Sequence, residues 1–250
     1  MMASAHMDKY GTTEEDMAFV SVKNHYHASL NSHAQFTSPI TTEKVLQSPV
    51  VAAPLKLLDC SPISDGAAAV ILSKNNKQKI PPKLDSANGG TINKKNVYIT
   101  ASAVATDTLG LAERKDLTTI KAAVSAAKKA YQMAKINPAD IDIAEVHDCF
   151  SIAEIIAMED LGFFSKGKAA SHIRAGVTKF GGKGPIVNTS GGLKACGHPV
   201  GATGVKQIVE IYKQLKGMAE KKQVTGAKTG LTHNVGGSGA TAVVHILASS

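Results

Sequence analysis

From residue 97 onward the apolar residues change period again and again, and this alternation constrains the fold more than any other feature of the chain. Residues 97–104 read as a strand. Ile120, Ala123, Val124, Ala127, Tyr131 and Ala134 then recur at helical spacing, with Lys121, Lys128 and Lys129 off that face. Asn137-Pro138 ends the helix, because proline pushes its predecessor out of the helical region. Residues 141–146 read as a strand, 151–161 as a helix opened by a Ser151-x-x-Glu154 capping box, and 186–187 as a short strand. Residues 205–215 follow as a helix with Val205, Ile208, Val209, Tyr212 and Leu215 on one face, and 242–247 as a closing strand. Strands alternating with helices predict a layered α/β fold.

The first part of the chain is less regular. Thr12-Thr13-Glu14-Glu15 fits a capping box in which Thr12 caps and Glu15 reaches back. The helix it opens carries Met17, Val20 and Asn24 on one side and runs toward Leu30. Pro39, Pro49, Pro54 and Pro62 punctuate residues 31–66, which predicts irregular structure with small elements. Residues 67–72 form a short apolar run that fits a buried strand. Residues 74–96, polar and carrying Pro81-Pro82 and Gly89-Gly90, read as a linker or surface loop.

Composition narrows the function classes. The 28 Lys+Arg against 20 Asp+Glu leave a net charge of +8, which suggests an anionic partner. Aromatics are only 4% and Trp is absent, so a base-stacking surface is poorly supplied and no nucleic-acid partner is expected. No apolar run is long enough to cross a bilayer, and the N-terminus lacks the pattern of a signal peptide. Three cysteines without a Cys-x-x-Cys pair exclude a disulfide scaffold. The expectation is a cytoplasmic protein without a metal, since His25, His27 and His33 have no carboxylate or thiol at ligand spacing.

Reactive residues are concentrated in three segments between apolar elements. In Val146-His147-Asp148-Cys149-Phe150-Ser151 a strand ends and a helix begins, the place where open α/β sheets bind ligands. A helix N-terminus favours a thiolate at Cys149, although Cys149 also reads as a buried filler and Asp148 as a cap. The second segment, Asn188 to Gly204, fits neither phosphate-loop pattern. An imidazole in its Gly197-His198-Pro199 could hydrogen-bond a developing oxyanion; a packed turn with a structural histidine is the other reading. The third, Thr232 to Gly239, could aim amides of Gly236-Gly237-Ser238-Gly239 at an anion or simply turn into the last strand.

Together these segments resemble the thiolase family, in its sterol-carrier-protein-type and archaeal acetoacetyl-CoA-thiolase-like branch. His147-Asp148-Cys149-Phe150 matches that branch's His-Asp-Cys-Phe motif. Asn188 to Gly204 is similar to the Asn-x-Ser-Gly-Gly … Gly-His-Pro-x-Gly-Ala-Thr-Gly block, and His233-Asn234-Val235-Gly236-Gly237 to the branch's replacement for Cys-x-Gly. The resemblance implies a layered α-β-α fold with a complete C-terminal half and a truncated N-terminal half. It divides the chain into a tail helix of the truncated domain (1–30), a loop region covering CoA (31–66), a last strand and linker (67–96) and the C-terminal domain (97–250).

The resemblance also implies roles. His198 polarises the thioester oxygen, His147 holds a water that completes the same oxyanion hole, and Cys149 is the acid/base, its pKa near neutral. His233, Gly236 and Gly237 line a second oxyanion hole, and Ser190 and Gly191 contact substrate. The acyl-accepting cysteine belongs to an N-terminal half not represented here, and Cys60 and Cys196 receive no role. The implied reaction is Claisen condensation or thiolysis of acyl-CoA, with coenzyme A thioester as substrate and no cofactor. The lysines at 74–83 or in the loop region could meet its phosphates. Implied partners are the N-terminal half, further copies in a homo- or hetero-oligomer, and, by likeness to archaeal members, a 3-hydroxy-3-methylglutaryl-CoA synthase with a zinc-ribbon/OB-fold protein. The competing reading is a non-catalytic CoA-binding or scaffolding subunit. A ketoacyl-synthase-like condensing enzyme is disfavoured by the His-Asp-Cys-Phe segment.

Overall fold

The computed structural model describes residues 1–74 and 96–250. Two helices open the chain, α1 (Met2–Tyr10) and α2 (Glu14–Ala28). The cap of α2 is Thr13 rather than Thr12. Thr13 Oγ1 accepts from Asp16 N at 3.1 Å, and the Asp16 carboxylate accepts from Thr13 N at 2.9 Å. Thr12 is drawn inward instead, its hydroxyl 2.8 Å from Nδ1 of buried His6. Met17, Val20 and Asn24 of α2 are all fully buried.

Residues 31–66 are irregular, as their prolines suggest, with α3 (Thr42–Leu46) and an antiparallel pair, β1 (Val50–Ala52) and β2 (Leu55–Lys56). Cys60 bridges to Phe150 and Ile63 to His198, so this segment runs alongside the second half of the chain. The strand expected at residues 67–72 is not formed. Ile71 and Leu72 are 91% and 70% exposed, and no described strand lies beside them. An apolar run becomes strand only where a sheet edge accepts its amides, and none is offered there. The linker expected at 74–96 falls, from residue 75 to 95, outside the described residues.

The remainder is built from β3 (Val97–Thr106), α4 (Lys121–Ala134), β4 (Ile143–Glu145), α5 (Ser151–Asp160), α6 (Ala169–Arg174), β5 (Ile186–Val187), α7 (Gly192–Cys196), α8 (Thr203–Lys216), β6 (Thr229–Gly236) and β7 (Thr241–Ser249). The five long-range strands form one sheet in the order β3-β7-β6-β4-β5. β4 is parallel to both β5 and β6, while β7 is antiparallel to β6 and β3. Strand β6 was not anticipated, because its glycines and its buried positions on both faces hide the period of two.

The sheet is sandwiched. On one face Ala101, Ala144, Leu231 and Val244 pack with alanines of α4 and with Ile152, Ile155 and Ile156 of α5; on the other, Ile143, Ile186 and Leu247 pack with Ile211 and Leu215 of α8. Met17 and Val20 of α2 share the first of these cores, so the opening helices join the same body as the sheet. Two helix faces are rotated from the sequence expectation. On α4 the buried positions are Ala122, Ala123, Ala126, Ala127, Ala130 and Tyr131, while Val124 is half exposed. Alanine wins there because it lets the helix approach the sheet closely. On α8 Tyr212 is exposed and Gln207, Glu210 and Gln214 are buried. Those polar groups are tolerated because each is paired: Gln207 Nε2 to His233 O at 3.1 Å, Glu210 to Lys222 Nζ at 2.6 Å, Gln214 Nε2 to Lys222 O at 2.6 Å.

Candidate active site

The register of β4 and β6 assembles the site. Glu145 lies opposite Thr232 on the parallel neighbour, so His147, just past β4, meets Asn234 near the end of β6. His147 Nδ1 is 3.1 Å from Asn234 Oδ1. The carboxyl ends of parallel strands are the usual ligand-binding edge of such sheets. The loop between α7 and α8 brings His198 to the same place. Its ring meets that of His147 edge-on, with centroids 5.1 Å apart. Two of the residues expected in the site, His147 and His198, therefore converge, and Cys149 lies two residues beyond His147 at the start of α5.

His198 is held at its other nitrogen. Nδ1 is 2.8 Å from Thr203 Oγ1, a hydroxyl that also lies 3.0 Å from Pro199 O. Thr203 Oγ1 therefore fixes the orientation of the ring from its Nδ1 side. Burial and then the Lys206 ammonium hold the imidazole below its ordinary pKa. The backbone of His198 donates to Ser64 Oγ at 3.2 Å, and Ser64 donates to Gln35 Oε1 at 2.6 Å, so the irregular segment braces the imidazole from above. His147 is pushed down to about 4, by burial first and by its neighbour His198 second.

Asp148 is the anchor between the two histidine segments. It is fully buried, and its carboxylate accepts from Leu193 N at 2.6 Å, Lys194 N at 3.3 Å and Asn24 Nδ2 at 2.7 Å. It thus caps α7 from across the sheet edge. Gly192 is required beneath it: φ is +65°, and a Cβ there would lie 2.2 Å from Asp148 Oδ2. Burial, and next Glu154, raise Asp148 to about 6. The same surroundings overturn the thiolate expected at Cys149. Burial, with the Asp148 carboxylate second, pushes that thiol up to about 11. The start of α5 is too small a source of positive potential to offset a neighbouring buried carboxylate.

The capping box expected at Ser151 is also absent. Phe150 occupies the cap position, the Ser151 hydroxyl turns to Asp59, and Glu154 binds Lys23, Asn24 and Asn188. The residues at 188–191 serve the scaffold. Asn188 Oδ1 accepts from Val146 N at 2.8 Å. Thr189 Oγ1 and Ser190 N donate to Glu145 Oε1, each at 2.9 Å, and Ser190 Oγ donates to Oε2 at 2.6 Å. Gly191 packs on α2, where a Cβ would lie 2.5 Å from that of Ala28. Ser190 and Gly191 are both buried, so neither presents a surface for the substrate contact that the resemblance implies; they position the loop that carries α7.

His233 points away from solvent altogether. It is fully buried, and neither ring nitrogen has a partner among the described residues. Burial, then His147, lowers its pKa to about 3. Gly236 and Gly237 are exposed in the turn from β6 to β7. Cys60 donates weakly to Lys56 O at 3.4 Å, and Cys196 Sγ accepts from Asn31 Nδ2 at 3.5 Å; burial raises both thiols. Sequence reasoning missed Asn234, Gln207, Thr203 and Lys194 as partners of the site. Thr203 was within reach of it, five residues after His198 at a helix start; Gln207 carried no local signal. No helix of the described residues is long and apolar enough to cross a membrane.

Known proteins share this sequence and fold. Residues 103–249 match the family model described as thiolase C-terminal domain-like. The chain is 53% identical over 246 residues to an acetyl-CoA acetyltransferase of Methanothermobacter thermautotrophicus, covering 98% of this chain and 61% of that protein. It is 39% identical over 244 residues to sterol carrier protein 2 of Gallus gallus, covering 95% of this chain and 42% of the other. The solved Ltp2-ChsH2(DUF35) aldolase superposes with a TM-score of 0.81 at 24% identity, over 100% of this chain and 62% of that one, a likeness of fold alone. The chain spans about three fifths of the acetyltransferase it matches and about two fifths of the sterol carrier protein.

Proposed function

The chain belongs to the thiolase C-terminal domain-like family, and from that premise we propose that it forms the C-terminal part of an acyl-CoA acyltransferase of the acetoacetyl-CoA thiolase type. The observation that carries this reading is the convergence of His147 and His198, ring centroids 5.1 Å apart, at the strand ends beside Cys149. In condensation, an acyl group rests on a cysteine thiol, and the enolate of acetyl-CoA attacks its carbonyl carbon. The carbon–sulfur bond breaks as the carbon–carbon bond forms, and the cysteine leaves as its thiolate. His198 and a water on His147 face the thioester oxygen, where charge develops. Cys149 exchanges the α-proton. Its thiol is protonated at rest, the state that returns the proton in the thiolytic direction.

The acyl-bearing cysteine comes from outside these 250 residues in this reading. Cys60 and Cys196 support that by their engagement elsewhere, with Lys56 O and Asn31. The partner is then the N-terminal thiolase half, on the same or another chain, and coenzyme A thioester is the substrate. The exposed apolar residues Leu57, Ile63, Phe150 and Val200 around the site fit a surface that such a partner covers. An oligomer, and association with a 3-hydroxy-3-methylglutaryl-CoA synthase through a zinc-ribbon/OB-fold protein, belong to the same proposal, as does a cytoplasmic location.

The test is reconstitution. The purified chain is assayed for CoA-dependent cleavage of acetoacetyl-CoA alone and with the N-terminal segment of the Methanothermobacter relative. Turnover is expected only in the mixture and is lost in His198→Ala and Cys149→Ala. Turnover by the chain alone would remove the external nucleophile, and an unimpaired Cys149→Ala in the mixture would favour a scaffolding subunit.

A further inference from the structure

A line of side-chain amides leads from the backbone of β6 to His147 and dictates which of its ring nitrogens carries the proton. The line begins at His233 O, a backbone carbonyl that can only accept. Gln207 Nε2 donates to it at 3.1 Å, which turns Gln207 Oε1 toward Asn234. Asn234 Nδ2 donates to that oxygen at 3.3 Å, which turns Asn234 Oδ1 toward His147. His147 Nδ1 lies 3.1 Å from Asn234 Oδ1 and faces an acceptor. The opposite assignment flips both amides and sets Gln207 Oε1 against His233 O, two acceptors in contact.

We propose that Gln207 and Asn234 are positioning residues that lock His147 as the Nδ1–H tautomer, so that its Nε2 carries the lone pair. Part of this inference rests on the acyltransferase reading, since that reading puts a water on His147. With Nε2 unprotonated, the water must donate one proton to His147 and keeps the other for the thioester oxygen. A His147 protonated at Nε2 would instead donate to that water, which fixes neither of the water's two protons in the direction of the thioester oxygen. The water's orientation is thus set by a backbone carbonyl two side chains away.

Space around the relay is limited in a way that supports it. A Cβ on Gly204 would lie 3.1 Å from Asn234 Nδ2, so the first turn of α8 leaves room for that amide and little more. Gln207 is 2% exposed, and water cannot easily substitute for its oxygen. Sequence alone showed Gln207 only as a polar residue on a helix.

The lock is tested by nitrogen NMR of the 250-residue chain labelled at histidine, with His147→Gln used to identify the His147 signals. The wild type is expected to show a protonated Nδ1 and a pyridine-like Nε2 near neutral pH. Asn234→Ala removes the acceptor and should lower the Nδ1–H to Nε2–H ratio by about tenfold, the size of one hydrogen bond. Gln207→Leu should lower it in the same direction, and Asn234→Asp, which can only accept, should restore it. A wild-type His147 protonated at Nε2, or a ratio unchanged in both Asn234→Ala and Gln207→Leu, overturns the lock. In the reconstituted enzyme Asn234→Ala should reduce kcat more than it raises KM, with Asn234→Asp recovering part of the loss. A locked tautomer with unchanged kcat in Asn234→Ala overturns the positioning role while leaving the acyltransferase reading intact. Absence of turnover in the wild-type mixture, with the NMR pattern as expected, counts against that reading and not against the lock.

Discussion

Replacing Lys23 by Met should destabilise the chain far more than the loss of an ordinary lysine. Lys23 Nζ lies 2.9 Å from Glu154 Oε1, with side-chain exposures of 5% and 0%, and also donates to Val187 O at 2.9 Å. Glu154 Oε2 accepts from Asn24 and Asn188, each at 2.7 Å. Removing the ammonium leaves a buried carboxylate with hydrogen bonds but no counter-charge, a defect of about 3–5 kcal/mol. Glu154→Gln reverses the imbalance and should cost a similar amount. In the double variant no charge remains. The Gln oxygen still accepts from both asparagines, its amide is left without a partner at a cost of about 1–3 kcal/mol, and Val187 O and Asn24 Oδ1 lose the ammonium just as they do in Lys23→Met. The double variant is therefore expected to be more stable than either single one, with a coupling of several kcal/mol. Urea unfolding followed by circular dichroism measures it. In a chain of this size each kcal/mol moves Tm by about 2–4 °C, so the single variants should melt roughly 6–20 °C early. Singles within 1 kcal/mol of wild type, or costs that simply add in the double variant, would refute the reasoning. The outcome matters for the site, because this pair ties α2 to Asn188 and, through Asn188 Oδ1, to Val146 beside His147.

Three further outcomes follow from the geometry. His147 is held at about 4, against an ordinary 6.5, so the unfolded chain takes up its proton first as pH falls. The stability it contributes is present above pH 6.5 and lost toward pH 4, and His147→Asn should flatten that part of the stability–pH curve by up to about 3 kcal/mol. Asp148→Asn should shift alkylation of Cys149 by iodoacetamide to lower pH, because the carboxylate is second only to burial in raising that thiol; Cys60→Ser and Cys196→Ser remove the competing sites, and an unmoved profile would sink the attribution. Gly192→Ala should cost more than about 2 kcal/mol, from a left-handed backbone plus the contact with Asp148, whereas Gly201→Ala, with nothing within 4 Å, should leave Tm nearly unchanged.

Several elements were legible in the chain because one local pattern was enough to define them. Helix α4 and strands β3 and β7 each carry an apolar period or run of their own, bounded by proline or glycine. The three motif segments were legible too, as reactive residues between apolar elements, and two of them supplied the paired imidazoles. Other features were misread for specific reasons. Residues 67–72 have the composition of a strand but no sheet edge among the described residues. The buried face of α8 is lined by Gln207, Glu210 and Gln214, whose partners lie 8 to 26 residues away. The Thr12 hydroxyl, suited to a cap, is used by His6.

What the sequence by itself determined, then, is the alternation of strands and helices, the order of the motifs and the residue types that face the site. Those properties depend on neighbours within a turn or two of the backbone. Only the tertiary structure decided the protonation of the site. Asp148 gathers donors from Asn24, 124 residues earlier, and from Leu193, 45 residues later. Burial raises the Cys149 thiol where the local helix end alone suggested a thiolate, and a carbonyl on β6 orients His147 through two amides. Desolvation and hydrogen-bond direction are sums over groups distant in the chain, and they acquire a sign only once packing has brought those groups together.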